Sequence, residues 1–320
     1  MNIAILDAQA LNPGDLDWSP LEQFGTVHVY PLSTREQLPA RVLQADILVV
    51  NKIICDKQLL DWAPSCKMIA VTATGFNIVD LEECVRRGIV VSNVPAYSTP
   101  DVVQHTFALL FELALHVGKH SDHVMAGGWA QSPCFTYSLT PLMELSGKTL
   151  GIVGMGSIGQ AVAQAAKAFG MNVVFNTRRP KPECVEEGIS QVDFDQLLEV
   201  SDVVTLHAPA TPQTIGLFNA ETLARMKDGA ILLNTARGNL VVEQDVAAAL
   251  KSGKLAGFGA DVVATEPMAA DNPLLGCQGC NIVITPHVAW ATYEARVRCM
   301  QVTLANVKAF VEGNPQNVVG

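Results

Sequence analysis

Basic residues are scarce in this sequence, and so are long apolar runs. The 21 lysine and arginine residues are outnumbered by 31 aspartate and glutamate residues, which gives a formal net charge of −10. A nucleic-acid-binding surface carries the opposite balance, with a basic stripe. The apolar stretch closest to a membrane span, residues 107–117, is interrupted by Glu112. We therefore expect neither a nucleic-acid partner nor a membrane anchor.

We expect no targeting signal at the start of the chain. Residues 1–7 begin directly with a strand-like apolar pattern, without a basic region or a cleavage site. The eight scattered cysteines are expected to be free thiols in a reducing compartment. Cys277 and Cys280 form one C-x-x-C pair, but no second pair stands at zinc-ribbon spacing, so we expect a surface loop and no metal site. These features predict a cytoplasmic protein.

What the sequence does contain is enough apolar surface for a large core. Apolar residues make up 49% of the 320 residues, which suits a folded protein of two domains. Strand-like segments alternate with helical segments in two series, a pattern typical of parallel sheets. We predict an α/β protein of two doubly wound parallel-sheet domains. The smaller is a flavodoxin-like substrate domain at 1–99 plus 293–320, and the larger is a Rossmann-type dinucleotide-binding domain at 100–292.

The individual elements can be placed by their apolar spacing. In the first series we expect helices at 33–44 and 79–87, and strands at 2–7, 26–30, 46–50, 68–71 and 89–91. The second series begins with one long helix at 101–119. Its six strands are expected at 149–153, 172–176, 202–207, 230–234, 257–261 and 281–285. Helices between these strands complete the doubly wound pattern, and a last helix at 293–312 is expected to return to the first domain.

One glycine-rich turn carries the strongest functional signal. Gly154, Gly156 and Gly159, with Ser157 and Ile158 between them, form a G-x-G-x-x-G pattern after a buried strand and before a helix. The glycines permit a sharp turn and let the backbone approach phosphate, while the free N–H groups of the helix N-terminus attract negative charge. A lone pattern of this kind also occurs in ordinary glycine turns, but the flanking strand and helix favour dinucleotide binding.

The residues after the next strand bear on which nicotinamide is bound. An NAD-preferring fold usually has a carboxylate there, which holds the ribose hydroxyls. This sequence has Thr177, Arg178 and Arg179 instead, and arginine pairs well with phosphate. The alternative is a solvated basic turn without a ligand. We favour NADP(H) as the cofactor and keep NAD(H) as the alternative.

Three polar residues follow strands of the second series. Arg237, Glu266 and His287 each come just past a strand, where ligands of open α/β sheets bind. An imidazolium can protonate the oxygen of a carbonyl group during its reduction, and a neighbouring carboxylate orients the ring and stabilises its charge. An arginine can grip a substrate carboxylate with two hydrogen bonds. Each residue alone would be an ordinary surface residue, but together they predict carbonyl reduction.

The motifs around these residues resemble those of the D-isomer-specific 2-hydroxyacid dehydrogenases. The resemblance covers essentially the whole chain and rests on residues 154–159, 234–238, 261–267 and 285–289. Within the family, the chain is most similar to the subgroup of glycerate dehydrogenases (hydroxypyruvate reductases) and glyoxylate reductases. Residues 11–16 and 290–292 support that subgroup less firmly.

The family resemblance implies a reaction and a set of roles. Hydroxypyruvate and glyoxylate would be reduced to D-glycerate and glycolate, with His287 as the acid/base, Glu266 as its partner and Arg237 as the carboxylate clamp. Further substrate contacts are implied at backbone N–H groups of the turn Thr74, Gly75 and Phe76. The remaining cofactor contacts are implied at His207, Ala208, Pro209, Thr214, Thr235, Ala236, Arg237, Asp261 and His287.

The resemblance also implies larger-scale properties. The two domains are expected to close a cleft, and the long helix at 101–119 is expected to help form a homodimer. Trp290 follows the histidine closely and either crowds the pocket, which favours two- or three-carbon acids, or only packs between domains. His116, His120 and His123 have helical spacing but are expected to be the polar end of a helix rather than metal ligands.

Two other functions fit part of the same evidence. A dinucleotide-sensing co-regulator on this fold could keep the glycine turn and the three polar residues, and it would bind a cofactor without turnover. A phosphoglycerate dehydrogenase is the second alternative. Many of those enzymes carry a C-terminal regulatory domain, for which this chain of 320 residues leaves no room.

Overall fold

The computed structural model describes residues 1–186 and 188–320, and the chain divides into two compact units. Unit 1 comprises Met1–Ser98 and Ala291–Gly320, whereas unit 2 comprises Thr99–Trp290. Each unit contains one sheet, and every described pair of neighbouring strands in it is parallel. The predicted fold class is confirmed.

Unit 1 has a flavodoxin-like sheet. Its strands are β1 (Asn2–Ile5), β2 (Thr26–Val29), β3 (Ile47–Val50), β4 (Met68–Val71) and β5 (Val90–Ser92). They lie in the order β2-β1-β3-β4-β5, which is the flavodoxin-like order. The helices are α1 (Leu38–Val42), α2 (Lys57–Trp62), α3 (Leu81–Arg87) and the C-terminal helix (Tyr293–Val311), which contacts β4.

Unit 2 has the larger sheet. It opens with the helices α4 (Thr99–Leu115) and α5 (Val117–Met125). The strands are β6 (Thr149–Val153), β7 (Asn172–Asn176), β8 (Ser190–Gln191), β9 (Val203–Leu206), β10 (Ala230–Asn234), β11 (Leu255–Ala260) and β12 (Ile282–Ile284). The helices between them are α6 (Ser157–Ala168), α7 (Pro182–Glu186), α8 (Phe194–Val200), α9 (Ala220–Arg225) and α10 (Glu243–Ser252).

The strand order of unit 2 places its ligand-binding edge. The order is β12-β11-β10-β9-β6-β7-β8, so the chain direction across the sheet reverses between β6 and β9. Ligands of such sheets bind outside the carboxyl ends of the strands, at this reversal. Both faces of the sheet are covered, since Leu232 of β10 belongs to one apolar cluster while its neighbours Ile231 and Leu233 belong to another. The functional groups must therefore lie at the strand ends.

The long helix predicted at 101–119 is wrong in one respect, because it is two helices. His116 adopts a left-handed backbone with φ of 48° and separates α4 from α5. The Glu112 carboxylate accepts a hydrogen bond from the Gly118 backbone N–H at 3.1 Å and so replaces a helical acceptor. The apolar spacing continues past this break, which is why periodicity alone did not reveal it.

Other expected boundaries also differ from the structure. The helix predicted at 33–44 covers only Leu38–Val42, because Pro39 lacks an N–H and fits only the first helical turn. The prediction also omitted α2, α7 and β8, so the sheet of unit 2 has seven described strands rather than six. The remaining strands lie within two residues of their predicted bounds.

The cysteines are free thiols, as predicted, and all eight lie in the described part of the chain. Cys277, however, does not lie in a surface loop. It ends a short 3₁₀ helix (Pro273–Cys277), is 1% exposed, and burial raises the pKa of its thiol. None of the described helices combines the length and apolarity needed to cross a bilayer.

Candidate active site

The glycine turn of unit 2 lies at the carboxyl end of β6. Gly154 has φ of 98°, and a Cβ there would lie 2.6 Å from the backbone oxygen of His207, so only glycine fits. A Cβ on Gly159 would lie 2.2 Å from the Gly154 carbonyl oxygen. A Cβ on Gly156, by contrast, would meet no atom of the described chain within 4 Å. The turn is thus closely packed at Gly154 and Gly159 and has open space at Gly156.

The open side of this turn exposes a helix N-terminus. Helix α6 begins at Ser157, its N-cap is Gly156, and no side chain among the described residues caps its first amides. Its first turn, which includes Ile158, contains no acidic residue. Free amides and the helix dipole together form an anion site, and the open space at Gly156 admits a pyrophosphate. The residues present therefore fit a dinucleotide.

The residues after β7 extend this surface. Thr177 is half-buried, whereas Arg178 and Arg179 are exposed. Among the side chains of residues 1–185 and 188–320, neither guanidinium has an ion-pair partner. Two positive charges are therefore available for a ligand at the end of the strand next to β6.

The loop after β9 lies against the glycine turn. The His207 backbone N–H donates to the Val153 carbonyl at 2.8 Å, and the ring Nε2 lies 3.0 Å from the Thr205 hydroxyl. Burial lowers the pKa of His207 to about 4, so the imidazole is neutral at pH 7. Ala208 and Pro209 follow, and the Thr214 hydroxyl donates to the Pro209 carbonyl at 2.7 Å. The loop after β9 is therefore held by its own hydrogen bonds beside the glycine turn.

Arg237 lies in a short turn after β10 whose shape depends on Asn234. The buried Asn234 side chain accepts from the Ala236 backbone N–H at 3.1 Å and donates to the Arg237 carbonyl at 2.9 Å. The preceding Thr235 lies inside the same turn. Arg237 itself is exposed, and its Nη1 donates to the Ala236 carbonyl at 2.7 Å. Asn234 was not predicted as a site residue, although asparagine at a strand end is a known turn-forming signal.

Glu266 and His287 meet at the edge of the same sheet. His287 Nδ1 lies 2.6 Å from Glu266 Oε2, and both side chains are only partly exposed. The other oxygen, Oε1, accepts from the Val263 backbone N–H at 3.2 Å. Because Glu266 occupies Nδ1, Nε2 is the ring atom left for a substrate. The structure thus brings these two predicted site residues into direct contact.

Asp261 fixes the loop that carries His287. Its carboxylate is 1% exposed and accepts from the backbone N–H of Val288 at 2.8 Å and of Ala289 at 2.7 Å. It also accepts from the Thr285 hydroxyl at 2.6 Å. Both carboxylate oxygens of Asp261 thus hold the loop, and its predicted contact with the cofactor stays a prediction.

The turn predicted to bind the substrate carboxylate lies in unit 1. Thr74 is held by its hydroxyl, which donates to the Val94 carbonyl at 2.8 Å, and by its own carbonyl, which accepts from the Asn93 side chain at 2.8 Å. The backbone N–H groups of Gly75 and Phe76 donate to no acceptor among the described residues. Those two amides are available to an anion. Trp290 is the last residue of unit 2 and is half-buried.

The glycine turn after β6 can bind the pyrophosphate of a dinucleotide. The hydrogen-bonded pair of Glu266 and His287 follows β11 and β12. Together these features are typical of a nicotinamide-dependent oxidoreductase. Residues 107–289 match the family model described as D-isomer specific 2-hydroxyacid dehydrogenase, NAD binding domain. That match covers more than half of the chain. The chain belongs to the D-isomer specific 2-hydroxyacid dehydrogenase family, and its cofactor is a nicotinamide dinucleotide.

Individual relatives agree with this assignment. The chain is 44% identical to a hydroxypyruvate reductase of Blautia hydrogenotrophica, over 100% of this chain and 99% of that protein. It is 38% identical to a glycerate dehydrogenase of Methylorubrum extorquens, over 99% and 98% of the two chains. A crystal structure of a Thermus thermophilus protein superposes with a TM-score of 0.89 at 37% identity, covering 100% of both chains. The similarity therefore extends over both units.

Proposed function

We propose that this enzyme reduces hydroxypyruvate and glyoxylate to D-glycerate and glycolate. The observation that carries the proposal is the 2.6 Å contact between His287 Nδ1 and Glu266 Oε2, which leaves Nε2 free to act on a substrate. The names of the two relatives, hydroxypyruvate reductase and glycerate dehydrogenase, support the substrate class.

The proposed mechanism assigns each step to a residue of the chain. A bound nicotinamide supplies the hydride. His287 gives the proton on Nε2 to the carbonyl oxygen, which develops negative charge as the carbon is reduced. Glu266 holds Nδ1–H and so fixes the plane of the ring throughout. In the reverse direction the neutral ring takes the hydroxyl proton at the same atom.

Substrate capture is assigned to charges and amides outside this pair. The exposed guanidinium of Arg237 can bind a carboxylate through two hydrogen bonds. The two available N–H groups at Gly75 and Phe76, in unit 1, also suit a carboxylate. Trp290 is assigned to the pocket wall, where it would favour acids of two or three carbons.

The cofactor proposed is NADP(H) rather than NAD(H). Arg178 and Arg179 are exposed and unpaired within the described chain, at the position where an NAD-preferring fold places a carboxylate. Their charges suit a 2′-phosphate.

The assembly proposed is a cytoplasmic homodimer. The segment after α4 exposes several large apolar side chains, including Met125 at 83%, Trp129 at 51% and Phe135 at 89%. A second copy of the chain would cover this patch.

A kinetic panel tests the proposal. Initial rates are measured for glyoxylate, hydroxypyruvate, pyruvate and longer 2-oxo acids, each with NADPH and with NADH. We expect the highest kcat/KM for hydroxypyruvate or glyoxylate with NADPH, and a loss of about 100-fold or more in kcat for His287→Ala.

Three outcomes would contradict parts of it separately. A clear preference for NADH would contradict only the proposal that Arg178 and Arg179 select NADP(H). Preference for a longer acid defeats the substrate assignment. Tight cofactor binding without turnover of any 2-oxo acid would favour the dinucleotide-sensing co-regulator instead.

A further inference from the structure

The backbone at His287 is unfavourable for a residue with a side chain. Its φ is 56°, in the left-handed region that residues other than glycine rarely adopt. The backbone N–H of His287 donates to the Asp261 carbonyl at 2.8 Å and to the Thr285 carbonyl at 3.0 Å. The orientation of the imidazole therefore depends on what holds Asp261 and Thr285 in place.

The proton on the Thr285 hydroxyl has a definite destination. The Thr285 oxygen lies 2.6 Å from Asp261 Oδ1 and 3.5 Å from the Ala260 carbonyl. The shorter contact with the carboxylate takes the single hydroxyl proton. The Thr285 oxygen is then left with lone pairs only, so any further partner must be a donor.

His105 of α4 is that donor. Its Nε2 lies 2.8 Å from the Thr285 oxygen and 3.5 Å from Asp261 Oδ1. Because Thr285 has already given its proton to Asp261, Nε2 of His105 must carry the hydrogen. A continuous chain of hydrogen bonds thus runs from His105 through Thr285 and Asp261 to the amides of Val288 and Ala289.

The position of His105 is set by close packing of α4 on the sheet. Leu109 and Leu113, one and two turns further along the same face, are buried. A Cβ on Gly259 of β11 would lie 3.2 Å from Leu109 Cβ and 3.1 Å from Leu113 Cδ1. Glycine at that position lets the helix approach the strand that leads into Asp261.

The same helix also reaches the arginine turn. The hydroxyl of Thr106, the residue after His105, lies 3.1 Å from the hydroxyl of Thr235. Helix α4 therefore contacts both loops that carry the proposed chemistry, and its two contacts come from adjacent residues.

From these contacts we infer that His105 is a positioning residue for the acid–base histidine, acting through Thr285 and Asp261. The inference rests on the proposed role of His287. His105 does not touch the substrate in this scheme. It fixes the hydroxyl of Thr285, which fixes the Asp261 carboxylate that holds the amides of Val288 and Ala289, directly after His287.

The test compares variants that remove or keep the donor. His105→Leu and Thr285→Val each break the chain, whereas His105→Gln retains an N–H donor and Thr285→Ser retains the hydroxyl. Gln104→Leu places the same side chain at an exposed neighbouring position of α4 and serves as the matched control. For each variant, kcat, KM, cofactor Kd and Tm are measured.

We expect His105→Leu and Thr285→Val each to lower kcat by about 10- to 100-fold, with KM and cofactor Kd close to wild type. The double variant should lose little more than either single one, because both changes break one chain. His105→Gln and Thr285→Ser should recover most of kcat.

A second readout does not depend on turnover. In cofactor-free protein labelled with ¹⁵N-histidine, the His287 ring signals are followed during a pH titration, with His287→Asn used for assignment. We expect His105→Leu to move both the shifts and the midpoint of that titration, and Gln104→Leu to leave them unchanged.

Several results would overturn the inference. Unchanged kcat and unchanged His287 signals in His105→Leu would do so, as would a fall in Tm with His287 unaffected, since that marks a purely structural role. If His287→Asn keeps full kcat, the proposed catalytic role fails instead, while the signals of wild type and His105→Leu still report whether residue 105 positions residue 287.

Discussion

The two sheets use the same device at their carboxyl ends, with different consequences. In unit 1, Asp7 follows β1 and its buried carboxylate accepts from the backbone N–H groups of Asn51, Lys52 and Ile53, which follow the adjacent strand β3. In unit 2, Asp261 follows β11 and holds the loop after the adjacent strand β12. Each aspartate therefore fixes the loop that follows the neighbouring strand of its sheet.

The differences between the two lie in the loops. The described donors to Asp7 are backbone amides, whereas Asp261 also accepts from the Thr285 hydroxyl, which contacts His105. The loop held by Asp261 contains a left-handed histidine, and the loop held by Asp7, which is described throughout, contains no positive φ. Asp261 thus stabilises a backbone conformation that a residue with a side chain rarely adopts, whereas Asp7 does not.

The strongest test of this contrast replaces each aspartate by asparagine. In both variants an amide NH₂ faces backbone N–H donors, so we expect both to lose stability by roughly 1–3 kcal/mol. Only Asp261→Asn should lose kcat, by about 100-fold, because only that loop orients His287. Urea denaturation gives the stabilities, and initial rates with saturating substrate give kcat.

Asp7→Asn is the matched control in this comparison, since its burial and donors resemble those of Asp261. An equal loss of kcat in the two variants would mean that any damaged anchor impairs the enzyme. The contrast drawn between the loops would then be wrong.

A second test concerns His207, a half-buried titratable residue beside the glycine turn. The pKa of His207 is about 4 in the folded protein, below the 6.5 of a free imidazole. Between those values the unfolded chain binds more protons than the folded one, so stability falls as pH falls from 6.5 towards 4. At pH 5 this contributes a loss of about 2 kcal/mol relative to pH 7.5. We expect His207→Gln to remove that part of the pH dependence.

The measurement is the free energy of unfolding at several pH values for wild type and His207→Gln. His28→Gln removes an exposed histidine from unit 1 and controls for the loss of an imidazole as such. Parallel pH profiles for wild type and His207→Gln, or an equal flattening in His28→Gln, would refute the assignment.

The sequence was sufficient for the parts of the molecule that depend on local pattern. The glycine turn and the alternation of strands and helices follow from short motifs along the chain. The choice of Arg237, Glu266 and His287 rests on such motifs too, and their roles stay a prediction. The family and the fold class inferred from them are confirmed.

The parts that could not be predicted depend on contacts between distant residues. His105 and Thr285 are 180 positions apart, and their 2.8 Å contact exists only because α4 packs on β11. The break at His116 involves a hydrogen bond from the Gly118 backbone N–H to the Glu112 carboxylate. Cys277 is buried because its segment forms a 3₁₀ helix. None of these leaves a trace in spacing or composition.

The smallest expected effect is a difference in stability between glycine and alanine variants, and we expect it to have opposite signs in the two loops. At His287, with φ of 56°, glycine avoids the steric cost that alanine meets. We expect His287→Gly to be more stable than His287→Ala by about 1 kcal/mol. At Lys52, whose φ is not positive, we expect the reverse, with Lys52→Ala more stable than Lys52→Gly by about 0.5–1 kcal/mol. Each pair of variants removes the same side-chain contacts, so urea denaturation reports the backbone alone. If alanine were the more stable variant at both positions, the loop after β12 would carry no conformational strain, and the distinction between the two anchors would rest on His105 and Thr285 alone.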